Sequence, residues 1–136
     1  FMDEGVDTGP ILARRRVTRE PWDTGETLYR RLEDACVQLF RDAWPAFRDG
    51  RLEAEAQDPN AGTHHVRADV KKIDPIDLDE NYRARELIDR LRARTFPPYE
   101  GCYFEVDGRR VYMRLHLWPE EEYPPEEGSG TDEGDR

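Results

Sequence analysis

The sequence predicts an α/β chain that closes with a β-hairpin and an acidic tail. Three observations carry this. Apolar residues recur at helical spacing through two segments, alternate through one short segment near the N-terminus, and flank an Asp-Gly dipeptide near the C-terminus. A period near 3.6 marks an amphipathic helix and a period of 2 a half-buried strand. Asp-Gly between apolar runs is the composition of a tight hairpin turn.

The elements follow in chain order. In PILARRRVT, residues 10–18, Ile11, Ala13, Arg15 and Val17 alternate with Leu12, Arg14 and Arg16, as in a short edge strand. Pro10 opens it, where a missing ladder donor matters least. A helix is expected over 23–50, capped by Asp23 with Glu26 three residues on as in a capping box, and stopped by Gly50. Leu28, Leu32, Ala35, Leu39, Ala43 and Phe47 form its stripe, widened by Cys36, Phe40 and Trp44, and are expected in the core. Pro45 is expected to kink or divide this helix, since it removes a donor and clashes with the preceding turn.

Residues 51–82 read as a long polar loop, of the kind that is usually functional or disordered. A second helix follows, with Ala84, Leu87, Ile88 and Leu91 on one face. It should end near Thr95, ahead of Pro97 and Pro98, because a residue before proline avoids helical geometry. A type I′ turn at Asp107-Gly108 then predicts a register: Val106 with Arg109, Glu105 with Arg110, Phe104 with Val111, and Tyr103 with Tyr112. Phe104, Val111 and Met113 would share one face, needing a cover, while Glu105 and Arg110 pair across the other.

Composition narrows the function classes. Of 136 residues, 36% are hydrophobic and 38% charged, so any core is modest. The net charge of −10 is concentrated at the end: residues 119–136 hold eight acidic residues and one Arg. That tail is too polar and too like-charged to repay its ordering entropy, and is expected to be disordered. It also argues against nucleic-acid contacts there, since phosphate recognition needs Lys and Arg. No apolar run approaches the roughly 20 residues of a membrane span. The lone, distant Cys36 and Cys102 read as reduced thiols of a cytoplasmic protein.

Several groups could carry chemistry. Adjacent His64 and His65, near Asp58 and Asp69, match no metal-ligand spacing, and neighbouring side chains on a strand diverge. No metal site is expected. Neither cysteine has a neighbour to activate it as a nucleophile. Arg14–Arg16 and the arginines of the second helix could meet an anion, but read more simply as solvated. The opening turn, FMDEGVDTGP, crowds Asp3, Glu4 and Asp7 around Gly5 and Gly9 just before the strand. Clustered carboxylates raise one another's pKa, and a loop that holds one near a reacting group can move protons.

The succession MDEGVDTGPIL, DTGETLYRRL and RLRARTFPPYEGCYFEVDGRRVY resembles the second half of the folate-dependent formyltransferases. That family includes methionyl-tRNA, glycinamide ribonucleotide and sugar-nucleotide formyltransferases. The likeness runs from about Met2 to Leu117, with MDEGVDTGPI its specific part. It implies the C-terminal part of a Rossmann-like catalytic domain over 1–95, a β-hairpin extension over 96–118 and the acidic tail over 119–136. It also implies transfer of a formyl group from 10-formyltetrahydrofolate to a primary amine, with Asp7 as the family's catalytic aspartate. Met2, Asp3, Glu4, Gly5 and Val6 would be the stretch lining the pterin pocket.

The family's other two catalytic residues, an asparagine and a histidine two positions later, have no match: neither Asn60 nor Asn81 is followed by such a histidine. They are expected upstream of Phe1, so this polypeptide alone is expected to be inactive. The acceptor implied is a small amine, an amino sugar on a nucleotide. A methionyl-tRNA acceptor is the alternative, disfavoured because no basic tRNA-binding domain follows Pro98. The hairpin could form a homodimer. A degenerate, non-catalytic interaction domain is the remaining reading.

Overall fold

A computed structural model describes residues 5, 7–58, 60–63 and 65–124. Its elements are helices α1 (Gly25–Arg48), α2 (Arg67–Lys72) and α3 (Ala84–Ala93), strands β1 (Tyr103–Val106) and β2 (Arg109–Tyr112), and a 3₁₀ turn at Glu120–Glu122. The described residues form one two-stranded antiparallel sheet, β1–β2. The parallel layers implied by the family likeness are not formed among them.

The capping of α1 differs from expectation. Thr24, not Asp23, is the N-cap: its hydroxyl accepts from the Thr27 N–H at 3.2 Å, and the Thr27 hydroxyl accepts from the Thr24 N–H at 2.9 Å. Asp23 is freed for another task. It accepts from the Glu20 N–H at 2.7 Å and pairs with Arg31, which ties the incoming chain to the second turn of the helix. Pro45 lies inside α1 and does not divide it, for the helix has only three residues left to run. Gly50, at φ 66°, ends the turn that follows.

The stripe expected in the core is not buried. No residue of α1 is fully buried. Leu28, Ala35, Leu39 and Ala43 are half-buried, whereas Leu32, Cys36, Phe40, Trp44 and Phe47 are exposed. The periodicity was that of a helix with an apolar face, but nothing among the described residues packs over half of that face.

The expected edge strand is likewise reduced to one bridge, Ile11 with Glu55, whose reciprocal hydrogen bonds measure 2.8 and 2.9 Å. A strand is defined by its neighbours, and among the described residues this segment's backbone pairing is limited to Glu55. The polar region 51–82 is more ordered than its composition suggested. It contains α2, where Asp69 accepts from the Val66 N–H at 3.0 Å, and a second bridge, Pro75 with Tyr103.

The small core sits where α3, residues 74–76 and the start of the hairpin converge. Ile76 and Cys102 are its buried apolar members, and Asp74, Arg92 and Thr95 its buried polar ones. Burying polar groups is tolerable only with partners, and they have them. Asp74 and Arg94 form a two-point ion pair, one arm of which is 3.1 Å. Thr95 donates to the Leu91 carbonyl at 2.8 Å and accepts from the Leu115 N–H at 3.0 Å. Two α3 arginines, Arg90 and Arg92, are therefore struts rather than solvated side chains, whereas Arg85 is exposed. Arg90 donates to the Ile73 and Pro75 carbonyls at 2.9 Å, and Arg92 to the Pro21 carbonyl at 2.9 Å. Of the Arg14–Arg16 run, Arg14 pairs with Glu55 and Arg15 with Asp42, each at 2.5 Å.

The start of α1 meets the end of α3 backbone to backbone, with the Glu26 N–H donating to the Thr95 carbonyl at 3.1 Å. A Cβ at Gly25 would stand 2.6 Å from the Ala93 carbonyl oxygen, so this crossing requires glycine. The hairpin has the register read from the sequence, Val106 with Arg109 through Tyr103 with Tyr112. Asp107 and Gly108 take φ 50° and 72°, the left-handed pair of a type I′ turn. Glu105 and Arg110 pair at 3.1 Å. Val106, Val111 and Tyr112 remain exposed.

The 3₁₀ turn gives the beginning of the acidic tail local structure, with the Trp118 and Tyr123 rings edge to face at 5.9 Å. The rest of the tail, 125–136, lies outside the described residues.

Candidate functional site

Of the residues singled out in the opening turn, Met2, Asp3, Glu4 and Val6 lie outside the described residues, while Gly5 and Asp7 are described. Asp7 is exposed and has φ 58°, the left-handed conformation that Asp tolerates better than most side chains. Gly5 is also exposed, and a methyl group there would run into the Thr8 hydroxyl. Gly5 and Thr8 therefore approach each other closely.

The turn is held from outside by a residue that sequence reasoning passed over. The Gln57 amide nitrogen donates to the Asp7 carbonyl at 2.8 Å and to the Gly9 carbonyl at 2.6 Å. Two positions before Gln57, Glu55 makes its bridge to Ile11 and its ion pair with Arg14. Residues 51–57 therefore form a rail along the acidic turn and the segment that follows it. No local pattern announces Gln57, because both of its partners lie about fifty positions upstream.

Beside this rail lies the uncovered face of α1. Phe40, Trp44 and Phe47 stack along the helix with ring centroids 5.4 and 5.7 Å apart. With Leu12, Ala43 and Leu52 they line an apolar slot of about 230 Å³. Phe40 is 63% exposed and Val37 51%, values rare for large apolar side chains on a helix that also has a half-buried face. A contiguous apolar surface of this kind marks an interface.

His64 lies outside the described residues, and among the described residues no group of three or more His, Cys, Asp or Glu could hold a metal ion. Cys36 is exposed on α1. Cys102 is fully buried, and burial, reinforced by the Asp74 charge, pushes its thiol pKa up, the reverse of what a nucleophile needs. Among the described residues, no helix is long and apolar enough to cross a membrane.

Residues 69–119 match the family described as the N-formyltransferase dimerization C-terminal domain. The chain is 32% identical over 120 residues to dTDP-4-amino-4,6-dideoxyglucose formyltransferase of Mycobacterium bovis, an alignment covering 88% of this chain and 51% of the relative. It is 37% identical over 115 residues to methionyl-tRNA formyltransferase of Myxococcus xanthus, covering 85% of this chain and 35% of that protein. Among solved structures, a 4-N formyltransferase from Francisella tularensis superposes with a TM-score of 0.79 at 29% identity, over 87% of this chain and 49% of that one. A likely sugar N-formyltransferase from Mycobacterium tuberculosis gives 0.79 at 32% identity, over 88% and 51%. The chain spans about half the length of the sugar formyltransferases it matches.

Proposed function

We propose that this chain, which corresponds to the C-terminal half of the N-formyltransferases, contributes the acidic loop and the dimer-forming end of an enzyme that formylates an amino sugar carried on a nucleotide. The observation that carries this reading is the acidic turn itself. Asp7 stands exposed on a loop whose backbone is pinned at two carbonyls, beside an apolar helix face suited to cover by the rest of a catalytic domain.

The formyl donor is 10-formyltetrahydrofolate, which supplies an acyl carbon activated by its bond to nitrogen. The close approach of Gly5 to Thr8, which leaves no room for a side chain at position 5, suits a stretch that meets a flat heterocycle edge-on. Attack by the acceptor amine forms the new C–N bond and leaves an excess proton on that nitrogen, while the donor nitrogen needs one as its own C–N bond breaks. In this reading Asp7 orients a histidine contributed by the other half, stabilises the imidazolium while it carries that proton, and so couples the two transfers. An asparagine from that half would hydrogen-bond the developing oxyanion.

The exposed Val106 and Val111, which share one face of the hairpin, are the surface we assign to a second copy, in keeping with the family match over 69–119. A sugar acceptor is proposed over methionyl-tRNA because the chain covers 51% of a sugar-nucleotide formyltransferase and of a likely sugar N-formyltransferase structure, against 35% of a methionyl-tRNA formyltransferase.

The test uses the longest reading frame containing this chain, assayed with 10-formyltetrahydrofolate and a panel of nucleotide-linked amino sugars alongside methionyl-tRNA. Formylation of a sugar, with kcat reduced at least about 100-fold in Asp7→Asn, is the expected result. Full turnover in Asp7→Asn would overturn the role of the loop, and turnover of the tRNA alone would overturn the acceptor.

A further inference from the structure

We infer that Gln57 is the positioning residue for Asp7, an inference that rests on the reading of the acidic loop given above. A single amide group donates both of its protons, one to the Asp7 carbonyl at 2.8 Å and one to the Gly9 carbonyl at 2.6 Å. The two acceptors flank Thr8, so the amide closes a chelate across the turn. Asp7 sits at φ 58°, a conformation that even Asp, which tolerates it better than most side chains, adopts at a cost that fixed surroundings offset. Among the described residues Gln57 is what reaches the carbonyl of that residue from another segment.

The clamp is itself braced. Glu55, two residues earlier, exchanges hydrogen bonds with Ile11 at 2.8 and 2.9 Å and pairs with Arg14 at 2.5 Å. The rail is thus fixed to the downstream side of the turn, and Gln57 extends that attachment to Gly9 and Asp7. The side-chain type is demanding. An ionised Glu has no proton to donate and would face two carbonyl oxygens, Leu has no polar group, and Asn is one methylene too short to keep the same backbone position and reach both. Because the clamp acts on the backbone of Asp7, it governs where the carboxylate points without touching a reactant. A misplacement of about 1 Å at a reacting group can cost on the order of 100-fold in rate.

The experiment compares Gln57→Leu, Gln57→Glu, Asp7→Asn and the Asp7→Asn/Gln57→Leu double variant in the same full reading frame. Formyl transfer, Tm and hydrogen exchange of a peptide spanning residues 5–13 are measured for each. Expected are a 10–100-fold fall in kcat for both Gln57 variants, KM values within about twofold, faster exchange in that peptide, and a double variant no slower than Asp7→Asn. Gln57→Glu, close in shape and soluble, answers the question should Gln57→Leu fail to fold. Unchanged kcat in a folded Gln57 variant, or a double variant slowed by the product of the single effects, would overturn the inference while leaving Asp7 intact. Unchanged kcat in Asp7→Asn would instead remove the reading on which it rests.

Discussion

Asp74 and Arg94 join three parts of the chain, and cutting that link is a sharp test of how the C-terminal unit is held together. Their side chains keep only 11% and 15% of their exposure and meet through two hydrogen bonds. The main chain around Asp74 is tied to the hairpin, its carbonyl accepting from the Tyr103 N–H at 2.9 Å, and Arg94 also donates to the Glu100 carbonyl at 3.0 Å. Arg94→Met leaves the Asp74 carboxylate buried without its cation. Such a loss costs about 3–5 kcal/mol for a buried pair, and the residual exposure favours the lower figure. The bond to Glu100 adds about 1 kcal/mol. With a urea m-value of about 1–3 kcal/mol/M for a domain of this size, the midpoint should fall by on the order of 1–4 M. Asp74→Leu should cost a similar amount, and the double variant Asp74→Leu/Arg94→Met clearly less than the two singles together, by about 2 kcal/mol or more, because no unpaired charge remains. Urea unfolding of the four proteins, followed by tryptophan fluorescence, completes the cycle. A loss below about 1 kcal/mol in Arg94→Met, or strict additivity in the double variant, would mean that the pair behaves as a solvent-screened surface contact and would refute the reasoning.

The cysteines report on the rest. Iodoacetamide should label Cys36 and spare Cys102 in this chain under native conditions, and Cys36 should become protected in a protein where the other half covers α1; equal labelling of Cys36 in both would show that face to be free. The buried Cys102 thiol has its pKa raised, so the folded state holds that proton more tightly than the unfolded chain. Its contribution is complete below the unfolded thiol pKa and lost as pH rises towards the folded value. Stability should therefore decline above about pH 8.5, by no more than about 1.4 kcal/mol per pH unit. Cys102→Ala should flatten that slope, and an unchanged slope would assign the decline to another group.

Local rules were enough for some of this molecule. Asp107-Gly108 specified the hairpin turn and, with it, every cross-strand pair, because a two-residue loop leaves no freedom in register. The spacing of Leu28 through Phe47 identified α1, and Pro97-Pro98 set the limit of α3. The MDEGVDTGPI block carried the likeness to the formyltransferases, as composition alone could not. The choice of Thr24 over Asp23 as N-cap was open at the sequence level, since both can cap, and was settled by Arg31 and the Glu20 N–H, which engage Asp23.

Other features belonged to tertiary structure from the start. Which face of α1 is covered depends on what lies against it, and helical periodicity says only that an apolar face exists. The alternation of residues 10–18 states a readiness to pair, but pairing needs neighbours, and among the described residues one bridge, to Glu55, is made. Arg90 and Arg92 of α3 looked like solvent-facing charges and became struts because carbonyls of 21, 73 and 75 came within their reach. Gln57 is the extreme case. Its two hydrogen bonds span 50 and 48 residues, and no local signal can announce a contact that exists only after the chain has brought its two ends of the rail together.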